Sequence, residues 1–353
     1  MVSKYLNKLL YIAILVFAAG FMNLIVTSSS YAACAKDADG SIIVTAGDST
    51  PFALSTSPST FDQNACQEEP DEYKLTFYKV ALCSTDPYTN GSNPDYSDCV
   101  DVLNEEKEVI IKPDEDTDLL TGGLEIPLGT YNIIAIIVDN HVHLKTSQKY
   151  VLANGNPASI KGSSGTAGTY CWSEAAVTLY SNDASLDTDT TYEAAQGGVN
   201  VVESGTGTAA LTGAQLECGA EGDINAAFAT EIIDTIADPT HDGEDNYQFG
   251  ASMDYGDNSD LTGMTGSQLA ANLLKTDNTT LAANEDQARR IAGFFKYPNN
   301  PIVITEDTNS FKLELSTTES VSIDMAVDGS DVIWGAKMGG DPFTIRVETT
   351  EAF

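Results

Sequence analysis

Three histidines, His141, His143 and His241, bound the acid–base chemistry open to this chain. A serine nucleophile ordinarily needs a histidine as its base. Neither a Gly-x-Ser-x-Gly elbow nor a His-Glu-x-x-His helix is present. His141 and His143 stand two apart, so on a strand they share one face, where imidazoles can ligate a metal. No third ligand is identifiable, and two solvated histidines are the commoner outcome of that spacing. Carboxylates are abundant instead, and calcium is the metal that takes them. Asp37-Ala38-Asp39-Gly40 is half of a calcium-loop motif, without the distal Glu. Asp254, Asp257 and Asp260 form a denser run. With 52 acids in the chain, such runs also arise by chance. An acid pair of glycosidase type has no local signature, and nothing singles one out. Trp172 and Trp334 have rings that can stack on sugars, but both lie in strand-like runs and read as core. No catalytic residue is expected.

Six cysteines, Cys34, Cys66, Cys83, Cys99, Cys171 and Cys218, are the other reactive groups. None is spaced Cys-x-x-Cys, so neither a zinc ribbon nor a thioredoxin motif is indicated. An even number in an exported chain implies disulfides. The set favoured here joins sequence neighbours: Cys34–Cys66, Cys83–Cys99 and Cys171–Cys218. The middle pair would close a loop holding Pro87, Asn90-Gly91 and Asn93-Pro94. Such a bridge stabilises by about 3 kcal/mol in the chain-entropy picture.

Export is itself read from the first 32 residues. Lys4 and Lys8 precede an apolar run from Leu9 to Val26, and Ser30-Tyr31-Ala32 offers small residues at the −3 and −1 positions of a signal peptidase site. Cleavage is expected before Ala33, leaving no transmembrane segment. Retention as an anchor is the alternative, because the run approaches a bilayer-spanning length. Tyr31 spoils a lipoprotein site before Cys34, and most of the apolar run precedes Gly20-Phe21, against a prepilin site.

Charge narrows the partners. The chain has 17 Lys+Arg against 52 Asp+Glu, a formal net charge of −35. Removing residues 1–32 takes two lysines and no acids, leaving 15 against 52, or −37 over 321 residues. Such a surface repels nucleic acid and anionic lipid, and favours divalent cations. Adaptation to a salty medium, where screening acts over about 8 Å or less, is the plainer explanation. Disorder is not implied: 42% hydrophobic residues suffice for a sizeable core.

The elements that must position these groups are mainly strands. Residues 33–69 form a polar extended segment with one short strand at Ser41–Thr45. Tyr73–Leu82 alternates, with Tyr73, Leu75, Phe77 and Lys79 on one face. Glu108–Lys112 is a further strand, and Asp114–Asp118 an acidic turn. Thr130–Val138 is apolar on both faces, as in a central strand. Asp139-Asn140 suits a tight turn, with His141–Lys145 returning as a hairpin.

An Asp-Leu-Leu turn at Asp118–Leu120, followed by Pro127, Gly129 and Tyr131 leading into a buried strand, resembles exported bacterial β-sandwich domains of prealbumin or immunoglobulin type. The resemblance covers residues 70–152. It implies that fold class and no catalytic residue.

Strands resume at Tyr170–Trp172 and Ala176–Tyr180, which places a β-sandwich domain at 70–180. Residues 181–224 are a Gly-rich connection. The region 225–353 is β-rich with helical segments expected at Asn225–Ile236, Gln268–Lys275 and Leu281–Phe295, then strands at Ile302–Ile304, Phe311–Leu315, Val321–Met325, Val332–Trp334 and Phe343–Val347. Phe353 ends the chain as in outer-membrane barrels, but Thr349 and Glu351 break the alternation such a strand needs.

The expectation is an exported, non-enzymatic protein of the cell surface, periplasm or medium. In one version it self-associates by strand addition, as a filament or surface-layer subunit, with 33–70 as donor arm. In the other it is a monomeric module binding a glycan, calcium or another surface protein. A secreted hydrolase stands third.

Overall fold

The computed structural model describes residues 33–46, 53–54, 65–113, 119, 126–179, 193–194, 196–197, 216–237, 249–257, 265–317, 320–327, 333–340 and 344–351. Residues 1–32, expected as an export signal, residues 114–118, expected as an acidic turn, His241, Asp260 and most of the expected Gly-rich connection lie outside them. Residues Ala33–Phe353 make one compact unit. The protein is mainly β, and no helix of seven or more residues occurs among the described residues. None there is long and apolar enough to cross a membrane.

The largest sheet is organised by the strand Glu72–Cys83. Tyr73, Leu75 and Phe77 face the main core, as their alternation requires. The register then slips, from Phe77↔Val138 to Lys79↔Ile137. This bulge inserts Tyr78 as an extra residue and reverses the phase. Val80 and Leu82, not Lys79, continue the inward row.

Asp139-Asn140 does not close a hairpin. Ile133–Asp139 pairs antiparallel with Phe77–Cys83, and His141–Lys145 pairs antiparallel with Glu72–Lys74. Both therefore run in one direction along the same edge. A two-residue type I′ turn needs positive φ at both central residues. Among the described non-glycine residues only Asn278 has one. The chain instead breaks at buried Asn140 and goes on. The sheet forks there: Ile133–Asp139 takes Arg290–Lys296 on its other side, and His141–Lys145 takes Ala229–Ile232. Beyond these lie Gln268–Leu274 and Ser252–Asp257 on one arm and Val177–Leu179 on the other. Regions 70–180 and 225–353 thus share one sheet.

The three expected helices are strands or turns. Asn225–Ile236 contains Ala229–Ile232, and Gln268–Lys275 is the strand Gln268–Leu274. Leu281–Phe295 holds a single turn, Glu285–Gln287, and then Arg290–Lys296. A central strand buries both faces, so its neighbouring residues are all apolar and mimic a helical stripe. Phe294 enters the core cluster on one face and Phe295 that on the other.

Two smaller sheets complete the main core. Ile42–Ala46 runs parallel to Ser147–Leu152, which is followed by Tyr170–Ser173 and Leu216–Gly219. Ala65–Glu68 pairs with Val321–Val327, and that strand with Ile333–Gly340. Ile42, Val44, Tyr150, Val321, Ile323 and Met325 join the inner residues of the large sheet in one cluster. The C-terminal strands Ile302–Ile304, Thr308–Ser316 and Thr344–Glu351 lie where the alternation placed them.

The disulfides are Cys34–Cys66, Cys83–Cys99 and Cys171–Cys218. The last two join residues directly opposite each other on neighbouring strands. Gly168 is required beside the third bridge. A Cβ there would lie 2.1 Å from the Gly219 carbonyl oxygen.

Candidate functional site

The densest polar cluster lies where the sheet forks. Register sets Arg290 opposite Asp139, and the bulge delivers Tyr78 to the same spot. Asp139 Oδ2 accepts from the Tyr78 hydroxyl at 3.0 Å and from Arg290 Nη1 at 3.0 Å. Asp139 Oδ1 accepts from the His141 backbone amide at 3.0 Å and pairs with His141 Nδ1 at 2.8 Å. The Arg290 guanidinium lies 3.6 Å from the centre of the Tyr78 ring. Burial pushes the Asp139 carboxyl up, but the bonds from His141 and the charge of Arg290 outweigh it and hold it below its ordinary range. The Tyr78 phenol is pushed up to about 12, by burial and then by Asp139, and stays a donor.

A carboxylate has about four lone-pair sites. Asp139 fills all four, so it has none to spend on a metal or substrate. It orients His141 as an acid orients the base of a triad. Among the described residues no hydroxyl is hydrogen-bonded to that imidazole. The cluster therefore reads as a polar weld across the fork.

His143 lies on the same strand face, but the two imidazoles take different partners. His143 Nδ1 is 2.8 Å from Thr230 Oγ1. Burial, then the charges of Lys74 and His141, push its pKa down to about 4, so it is neutral at pH 7.

Elsewhere the expected ligands are dispersed. Asp37 Oδ1 accepts from the amides of Asp39 and Ser41, both at 2.9 Å, and shapes the turn before Ile42–Ala46. Asp39 is exposed in that turn. Asp254 and Asp257 are exposed on an edge strand, with Asp254 Oδ2 accepting from Asn90 at 2.8 Å. Among the described residues no group of three or more His, Cys, Asp or Glu is arranged to hold a metal. Trp172 is buried, as expected of a core residue.

The sequence marks His141 as a candidate but not the rest of its cluster, Tyr78, Asp139 and Arg290. Asp139 and Arg290 are 151 residues apart. The local signal was the Asp139-x-His141 spacing, hidden by the reading of that stretch as a turn.

A second cluster lies on the outer face of the other arm. The loop closed by Cys83–Cys99 lays Tyr88 against Phe294 and Tyr255, with ring centres 5.4 and 5.3 Å apart. Asp86 accepts from Tyr255 at 2.8 Å and Lys296 at 2.9 Å. Asn93 Oδ1 accepts from the Leu281 amide at 2.8 Å.

No protein-family model, curated protein or solved structure matches the chain. Its class is defined by its own architecture: a mainly β protein around a forked sheet, stapled by three disulfides.

Proposed function

We propose that this is an exported, non-enzymatic protein of the cell surface, periplasm or extracellular medium, a β-sandwich module of prealbumin or immunoglobulin type that acts through its surface. The observation that carries the reading is the pairing of all six cysteines, with none free. Disulfides persist in oxidising compartments and are rare elsewhere. The packing of several sheets around one core supports the sandwich. The saturated Asp139 supports a structural rather than catalytic cluster.

Charge pairing supports a cation-rich setting. Lys36, Lys74, Lys79, Lys145, Arg290 and Lys296 each form an ion pair with an acid of the same chain. Six of the 17 cations are thus engaged within the chain, and the large surplus of acids faces solvent, glycans or divalent ions such as calcium.

Of the two versions, the monomeric module is favoured over the self-associating subunit. A donor arm must leave its own chain. Ile42–Ala46 and Ala65–Glu68 are instead paired within this one, and the Cys34–Cys66 bridge ties the segment ahead of the first strand to the second. Two edge strands of the large sheet carry charge, Lys107 and Glu108 on one and Asp254 and Asp257 with a bulge on another, while the edge strand Val177–Leu179 has none. The charged edges resist strand addition.

N-terminal sequencing and unreduced peptide mapping of protein from the culture medium or envelope test the reading. A start at Ala33 and three linked peptide pairs are expected. Retained residues 1–32 with free thiols would overturn it.

A further inference from the structure

Asn90-Gly91 lies at the tip of the loop closed by Cys83–Cys99. Asn90, Gly91 and Ser92 are exposed. Gly91 has φ +65, and a Cβ placed on it would meet nothing within 4 Å. The tip turns on a bond from the Ser92 amide to the Thr89 carbonyl at 3.1 Å, and the Gly91 amide makes no hydrogen bond. Asn154-Gly155 has the same sequence and is also exposed, but its backbone is occupied. The Gly155 amide donates to Leu152 at 2.8 Å, and Asn154 Oδ1 accepts from the Asn156 amide at 2.9 Å.

We infer that Asn90 is a site of spontaneous deamidation that unlatches the tip of this loop. The free Gly91 nitrogen attacks Asn90 Cγ, the new C–N bond closes a succinimide, and the Cγ–Nδ2 bond breaks to release ammonia. Water then opens either carbonyl of the ring, giving an aspartate or isoaspartate. Glycine suits the step because it lacks the Cβ that would crowd the ring. Both carboxamides are hydrogen-bonded, but the attacking amide is held at Gly155 and free at Gly91, so the same step is slower at Asn154.

The consequence follows from Asp254. Asn90 Nδ2 donates to Asp254 Oδ2 at 2.8 Å, fastening the tip to the edge strand Ser252–Asp257. Deamidation replaces the donor with a second carboxylate, and two like charges at that spacing repel. The base of the loop keeps its bonds through Asp86 and Asn93 and the ring contacts of Tyr88. Loosening is therefore confined to the tip.

Peptide mapping of the purified full chain after incubation at pH 7.4 and at pH 9 tests the chemistry. Conversion at Asn90 is expected several-fold faster than at Asn154, and faster at the higher pH. Equal or slower conversion at Asn90 would overturn the assignment. Hydrogen exchange tests the latch. Asn90→Asp should speed exchange of the Thr89–Ser92 amides several-fold, and adding Asp254→Asn, which restores an amide opposite a carboxylate, should reverse it. Unchanged exchange in Asn90→Asp, or no reversal in the double variant, would overturn the latch.

Discussion

The outer face of the large sheet is built in two ways on either side of the fork. Past the bulge, Ala81, Cys83, Ile133, Ala135, Ile137, Ala292 and Phe294 are buried, covered by the disulfide loop through Tyr88 and Tyr96. On the other arm the same face carries Lys74, Thr76, Tyr78, His141, His143 and Lys145, all half-buried and all but Thr76 tied in ion pairs and hydrogen bonds. One arm thus gains a second core from a loop that a disulfide closes. The other is held by polar welds, each worth less than a buried ring. The covered arm should therefore dominate stability, and the open arm should set its response to pH.

The largest effect should come from Phe294→Ala, which empties the centre of the covered core. A loss of about 3–5 kcal/mol is expected in denaturant unfolding. A loss under about 1 kcal/mol would mean that the loop does not pack as described. Removing the bridge with the double substitution C83A/C99A should cost about 3 kcal/mol and raise hydrogen exchange in Gln268–Leu274 and Arg290–Lys296. Exchange confined to the loop would show that the strands need no cover.

On the open arm, Tyr78→Phe removes one of four donors to a half-buried carboxylate. The expected cost is about 1.5–3 kcal/mol, the range for a hydrogen bond to a charged group, with the unfolding slope unchanged. A neutral outcome would leave Arg290 and His141 sufficient to weld the fork.

The smallest effect is on pH. The folded pKa of His143 is pushed down to about 4 from an ordinary 6.5. As pH falls through 6.5 the unfolded chain takes a proton that the folded chain refuses. Stability is full above that pH and declines towards pH 4. Asp139, held below its ordinary range, adds a further loss at lower pH, where its folded carboxylate takes up a proton. His143→Gln should flatten the decline in urea midpoint between pH 7 and pH 4.5. An unchanged decline would place the response in other groups.

Much of this was legible in the chain because strand burial has period two. Tyr73, Leu75 and Phe77 declared an inner face, and the fully apolar Ile133–Val138 declared a strand covered on both sides. The same property misled at Gln268–Leu274 and Arg290–Lys296, where two buried faces passed for a helix. The turn residues between Cys83 and Cys99 marked that bridge, whereas the other two rested only on a preference for sequence neighbours. The bulge at Tyr78 and the break at Asn140 left no local mark, because each is set by a partner strand distant in sequence. The polar weld was hidden for that reason, since Arg290 meets Asp139 only once the fork has formed.

In the proposed monomeric module, the N-terminal strands pair within their own chain and no second copy is needed. Light scattering on the mature protein, with calcium and with chelator, tests that most directly. A monomer in both conditions is the predicted result. Polymers or large particles in either would contradict it, and their loss in chelator would place calcium at the contacts between copies.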